Sequence, residues 1–230
     1  FIGKDALAAV GASFPIIFLL VSLVMGISMG FTVLIAQYYG AKELENVKKT
    51  IHTGFIFLFI ASLSLTVIGL LVSGPILRLL KTPSEIFVSA RNYLNIIFLG
   101  MLVMFGYNSL SAILRGLGDS KTPLYFLIIS TIANIILDLL FVIVFRWGVE
   151  GAAWATVIAQ GVSFVLAFLY LNRSHELFRL DLKKLTFDRE IFFLSFKIGL
   201  PSGIQQMLVA TGAMALTRIV NSFGTDTIAA

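Results

Sequence analysis

The sequence predicts an all-α, polytopic transmembrane helical bundle. The chain is 58% hydrophobic and only 13% charged, with a mean hydropathy of +0.98, whereas an ordinary soluble domain is about 25% charged. Its apolar residues fall in long runs, and the first, residues 6–40, carries no charge at all. The runs are continuous, not alternating, which excludes a β-barrel.

A helix needs about 20 apolar residues to cross the bilayer. Six stretches meet this: residues 6–40, 53–72, 90–114, 124–145, 151–171 and 198–220. The first suits one long helix with interfacial ends. The second is followed by Pro75, the third preceded by Pro83, and the fourth opens beside Pro123; at span ends the missing N–H does little harm. Pro15 and Pro201 sit just inside the first and last spans, where they can bend a helix. Gly26 and Gly30 form a GxxxG in the first span, and Gly199 and Gly203 form another in the last. Both are read as packing surfaces, because small residues let helix backbones approach in lipid.

Six spans define two sets of loops. One set holds "AKELENVKKTIH", "RGLGDSKTP" and "NRSHELFRLDLKKLTFDREIFFLSFK". It carries Lys42, Lys48, Lys49, Arg115, Lys121, Arg173, Arg179, Lys183, Lys184, Arg189 and Lys197 of the 17 basic residues. The positive-inside rule puts this set in the cytoplasm, and it explains the net charge of +5 without a nucleic-acid partner. Residues 173–197 form the long polar segment, either an amphipathic helix lying along the membrane or a solvated connector. There is no cysteine, hence no thiol chemistry. The chain opens on Phe1 with no signal-peptide pattern, and is expected to be an internal piece of a longer protein. The closing "NSFGTDTIAA" places Gly224, Asp226, Ala229 and Ala230 over Gly3, Asp5, Ala8 and Ala9 of the opening, as a second structural repeat would.

Asp138 is the acidic residue deep in a span, and an intramembrane charge needs a reason. Asn134 precedes it by one turn on the same helix face. Counted at 1.5 Å per residue from the outer ends, Asp138 lies about 10 Å deep and Thr156, on the next helix, about 8 Å deep. The expectation is that Asn134, Asp138 and Thr156 converge on one cavity, bordered by Tyr93. Two chemistries fit. Burial disfavours the charged carboxylate, so it can hold a proton at physiological pH; Asp, Asn and Thr oxygens also suit a hard cation such as Na⁺. Gln37 is expected near the cytoplasmic end of its helix, and Gln205 with Gln206 could line a cavity. No nucleophile or metal constellation is evident, with His52 and His175 placed in loops. An enzyme is not expected.

The stretches "GKDALAAVGASFP", "GISMGFTVLIAQYYGA", "LRGLGDSKTPLYF", "NIILDLLFV" and "GVEGAAWATVIAQ" together resemble the multidrug and toxic compound extrusion (MATE) family of secondary antiporters. The resemblance covers essentially the whole chain. It implies twelve helices in two six-helix lobes, of which this chain would hold the end of helix one to the end of helix seven. Residues 1–172 would be the N-lobe bundle, 173–197 the cytoplasmic linker and 198–230 the first C-lobe helix. Helix one and the rest of the C-lobe would be partners from the same full-length chain. It also implies an N-lobe cation site matched by Asn134, Asp138 and Thr156, with Tyr93 as a cavity residue. Val209 stands where another bacterial branch has a helix-seven Glu, which disfavours that coupling site. The implied protein is a multi-pass transporter of the inner cell membrane, surrounded by lipid. It would export amphipathic organic cations against H⁺ or Na⁺, with no cofactor. A lipid-linked precursor flippase, which needs a cationic cavity, and a non-transporting scaffold are the alternatives.

Overall fold

The computed structural model describes residues 4–174 and 185–221, and they are helical with short connections. The helices are α1 (Lys4–Gly40), α2 (Leu44–Leu79), α3 (Ser84–Leu99), α4 (Met101–Gly116), α5 (Lys121–Asp138), α6 (Gly148–Ser174) and α7 (Arg189–Asn221), with a π-helical turn, Leu139–Val144, continuing α5. Residues 175–184 of the expected linker, His175 among them, and residues 222–230 of the closing stretch lie outside the described residues.

Three units, Leu44–Leu79, Lys121–Val144 and Gly148–Ser174, are each long and apolar enough to cross a membrane, and two bent units bring the number to five among the described residues. The chain is therefore a multi-pass membrane protein. The sixth expected span lies within α7, whose 33 residues are long enough to cross but diluted by Gln205, Gln206 and small side chains. The outer surface follows the bilayer's logic. Leu71, Ile136 and Val144 stand 60–72% exposed, as side chains facing lipid tails do.

The spans differ from the sequence reading in three ways. First, the "LENVKKTIH" loop is the beginning of α2, so His52 is helical. Glu45 and Lys49 pair at 3.2 Å across one turn, which lets the helix project past the apolar zone. Second, α1 bends by 45° between Ser22 and Val24, not at Pro15. Ser22 Oγ donates to Leu19 O at 2.8 Å, and hydroxyls bonded back onto a helix commonly bend it. Third, the span at 90–114 is two helices, α3 and α4, bent by 50° at Gly100. A Cβ on Gly100 would run into Val157 of α6, and Gly69 of α2 makes room for the Phe98 ring. Thr66 Oγ1 donates to the Phe98 carbonyl at 2.8 Å, satisfying a backbone group beside the break. The kink brings α3, with Tyr93, against the outer half of α6.

Two apolar clusters stack along the bundle. One gathers Leu77, Ile86, Leu94, Phe98, Met101 and Phe105 from α2, α3 and α4. The other gathers Ile35, Val47, Ile51, Leu110, Leu114 and Leu171 toward the cytoplasmic ends. α7 packs along α1 through the two GxxxG motifs. A Cβ on Gly26 would strike Gly203 backbone and one on Gly30 the Ser195 carbonyl, while one on Gly199 would lie 2.5 Å from Gly26 O. Both motifs serve the packing role expected of them, and they serve it on each other.

Candidate functional site

The site begins with how α5 is held to α6. Ser130 Oγ donates to Ala159 O at 2.9 Å, and Ser163 Oγ donates to Phe126 O at 2.9 Å. Each hydroxyl crosses to the neighbouring backbone, so the register of two antiparallel helices is pinned. At the outer end Gly151 sits against Phe141, 3.1 Å from an added Cβ to the Phe141 Cβ. Interpolating between these anchors puts Thr156 level with Asn134. Asp138 then lies about 6 Å, one turn, nearer the outer end. The expectation of equal depth for Asp138 and Thr156 is corrected: the wide π turn after Asp138 takes up residues that a simple count assigns to depth.

Asn134 and Asp138 are half-buried on one face of α5. Asn134 Nδ2 and Asp138 Oδ1 are both buried and have no hydrogen-bond partner, a costly state for polar groups away from water. The π turn begins at the next residue, Leu139, and such turns concentrate at functional sites. Phe145 N–H there donates to Leu140 O at 2.9 Å. Above it Phe141, Phe145 and Trp147 stack, with the Phe141 and Trp147 centroids 4.9 Å apart. These rings close the outer end of the α5–α6 pair.

Thr156 Oγ1 donates its proton to Ala152 O at 3.0 Å, which leaves its lone pairs as acceptors. Tyr93, half-buried on α3, packs beside the first apolar cluster, and Asp138 and Tyr93 lie within electrostatic range of one another. Gln37 is exposed near the cytoplasmic end of α1, as expected. Of the glutamine pair, Gln206 lines a cavity with Met25, Met29, Asn108 and Arg115 where α1, α4 and α7 meet, and Gln205 is exposed. Val209 is 59% exposed.

Sequence reasoning missed Gln160. Its Oε1 is buried and unpartnered, one turn beyond Thr156. The signal was available, since Thr156 and Gln160 repeat on α6 the i, i+4 spacing of Asn134 and Asp138 on α5. Thr82 Oγ1 and Ser195 Oγ are also unpartnered, but they lie at the end of α2 and on the α1–α7 seam. No group of three His, Cys, Asp or Glu that could hold a metal ion occurs among the described residues.

The MatE family model matches residues 1–140. Among curated proteins, the chain is 38% identical over 236 residues to the probable multidrug resistance protein YoeA of Bacillus subtilis, covering 100% of this chain and 51% of the relative. It is 35% identical to the probable multidrug resistance protein YpnP of the same organism, covering 97% of this chain and 50% of the relative. Among solved structures, an inward-facing multidrug resistance MATE family transporter of the MOP superfamily superposes with a TM-score of 0.92 at 25% identity, covering 99% of this chain and 52% of that one. The chain thus spans about half the length of the curated relatives it matches.

Proposed function

The chain belongs to the MatE family of membrane transporters, which are not enzymes, and from that premise we propose that it is one lobe, with the first helix of the other, of a cation-coupled efflux antiporter in the cell membrane. The observation that carries the reading is the pair of unpartnered buried atoms, Asn134 Nδ2 and Asp138 Oδ1, on one face of α5. A single carboxylate in a low-dielectric setting attracts a proton or a cation. The Asn134 amide can turn about its Cβ–Cγ bond to offer its oxygen, and the Thr156 lone pairs complete a set suited to Na⁺.

Coupling follows from sharing one negative charge. An ion bound at Asp138 removes the attraction for an organic cation bound near it, and the drug weakens the ion by the same factor. The lobes rock about this site, opening it to one side at a time. A lipid-linked precursor flippase needs a cationic cavity. Arg115 lines the cavity between α1, α4 and α7, with its guanidinium donating to Ser111 Oγ at 2.6 Å, but the deep charge is Asp138.

The test is gradient-driven uptake of an organic cation in inverted vesicles carrying the full-length protein, with imposed proton or Na⁺ gradients. Asp138→Asn abolishes uptake while expression is retained. Wild-type rates in that variant would reduce Asp138 to a structural role and leave the scaffold reading.

A further inference from the structure

We propose that the cavity where α1, α4 and α7 meet binds the phosphate of an anionic lipid from the cytoplasmic leaflet, with Arg115 as its charged ligand and Gln206 as a second donor. This site is separate from Asp138 and does not depend on how that carboxylate is read.

The polar lining of the cavity is one-sided in charge. Arg115 is on it, and no Asp or Glu is. The Arg115 guanidinium donates to the neutral Ser111 Oγ at 2.6 Å, which leaves most of its N–H donors open. Among the described residues no carboxylate pairs with it. Ser28 and Thr32 also line the cavity, but their hydroxyls donate to Val24 O at 2.8 Å and Ser28 O at 3.2 Å on their own helix. Asn108 Nδ2 likewise donates to Met104 O at 2.7 Å. No side-chain hydrogen bond ties up the Gln206 amide among the described residues. Open donors and one uncompensated positive charge select an anion.

Helix register brings Arg115 and Gln206 within reach of one group. A Cβ on Gly116 would lie 3.1 Å from Thr32 O and closer still to Ile35. Because α4 and α1 both run toward the cytoplasm, Ser111 falls level with Ser28 and Met29. The Ser111 bond draws the guanidinium back to that level. On α7, which runs the other way, Gly203 lies against Gly26, so Gln206 starts about 7–8 Å outward of Ser28. Its side chain leans toward the α7 N-terminus, back toward the cytoplasm, by about 3 Å. The two head groups therefore end about 4–5 Å apart along the bundle axis. One phosphate spans that gap, since each oxygen sits about 2.9 Å from its donor, and guanidinium–phosphate pairs are charge-assisted and bidentate.

The rest of the lining points to a lipid as the source of the phosphate. Arg115 is exposed and Gln206 half-buried, so the cavity opens at its cytoplasmic end, where anionic headgroups gather. Met25 and Met29, both exposed, and Phe105 line it too. Free phosphate leaves that apolar surface uncovered, whereas a phosphate carrying acyl chains removes it from water.

The experiment is a thermal-stability titration of the purified full-length transporter in uncharged detergent, with dioleoylphosphatidylglycerol as the probe. Wild-type melting temperature is expected to rise saturably with it and to stay flat with dioleoylphosphatidylcholine, whose phosphate carries its own cation. Arg115→Gln is expected to raise the half-saturating concentration at least about tenfold, and Gln206→Leu about threefold to tenfold. Arg173→Gln, which removes an exposed cytoplasmic charge away from the cavity, is expected to titrate like wild type. Should Arg115→Gln fail to fold, Gln206→Leu decides, and a wild-type titration there overturns the proposal. So does a wild-type titration by Arg115→Gln, an equal response to phosphatidylcholine, a loss in Arg173→Gln as large as in Arg115→Gln, or a wild-type protein indifferent to phosphatidylglycerol. Inorganic phosphate that reproduces the full response at the same concentration overturns the lipid and leaves soluble phosphate as the ligand.

Discussion

The α1–α7 and α5–α6 seams join helix pairs by opposite means. Along α1–α7 the backbones touch through Gly26, Gly30, Gly199 and Gly203. The cohesion is dispersion between closely fitted surfaces. Along α5–α6 the contact is made by hydroxyls crossing to carbonyls, and Asn134, Asp138 and Gln160 are left with unpartnered atoms. The first seam has no room for a methyl group at Gly26, Gly30 or Gly199, and the one unpartnered polar atom named on it is the neutral Ser195 hydroxyl. The second is less tightly fitted and holds polar groups that its own fold does not satisfy. A closely fitted joint is thus separated from a responsive one.

The contrast can be broken most directly by exchanging defects. Gly30→Val forces the α1 and α7 backbones apart. Loss of folded full-length protein is expected, seen as aggregation in detergent chromatography. Gly26→Ala puts a smaller group against the Gly203 backbone and is expected to cost at least about 3 kcal/mol, the top of the usual overpacking range, read as a lower melting temperature. Asp138→Asn should do the reverse at the other seam. It removes an unpaired buried charge, so the melting temperature holds or rises while ion-driven transport disappears. A stable Gly30→Val protein, or an unfolded Asp138→Asn protein, would erase the distinction.

A smaller change sharpens it. Ser130→Ala deletes one register bond between α5 and α6, at a cost of about 0.6 kcal/mol, the usual size for such bonds in membranes. Because the bond aligns Thr156 with Asn134, ion affinity should fall more than the melting temperature implies. The check is a Na⁺ titration beside the thermal scan.

The smallest expected effect is at the cytoplasmic end of the same seam. Asp119 Oδ1 accepts from Thr122 N–H at 3.0 Å, and Oδ2 accepts from the Tyr170 hydroxyl at 3.3 Å. Partial burial alone would raise the carboxyl's pKa, but hydrogen bonds from Thr122, Tyr170 and the Lys121 backbone hold it below the usual range. A lowered folded-state pKa stabilises above the unfolded value, about 3.9, and the contribution is lost as pH falls through the folded value. Melting temperature measured from pH 6 to pH 3 should therefore drop slightly more for wild type than for Asp119→Asn.

Much of this was legible in the chain itself. The repeated apolar spans, the prominence of Asp138 and its place on one helix face with Asn134 follow from hydropathy and helical period, which are local. The break at Gly100 was not legible, because an isolated glycine in an apolar run reads as packing until Val157 is known to press on it. The start of α2 was read as a loop because charge was taken as the end of a helix, when it marked the end of the lipid. Gln160 went unnoticed because a glutamine on an otherwise apolar helix does not announce whether it faces lipid, a neighbour or a cavity.

What the sequence by itself determined is that this chain crosses a membrane repeatedly and carries one carboxylate where a carboxylate is expensive. Both follow from transfer free energies, which depend on residue type and run length. What the tertiary structure decided is which groups meet: that the two GxxxG motifs face each other, and that Thr156 is level with Asn134 and not Asp138. Those depend on register and rotation between helices. In a bilayer, hydrophobicity does not distinguish one rotation from another, so register is set by a few hydroxyl bonds, close-packed glycines and one π turn.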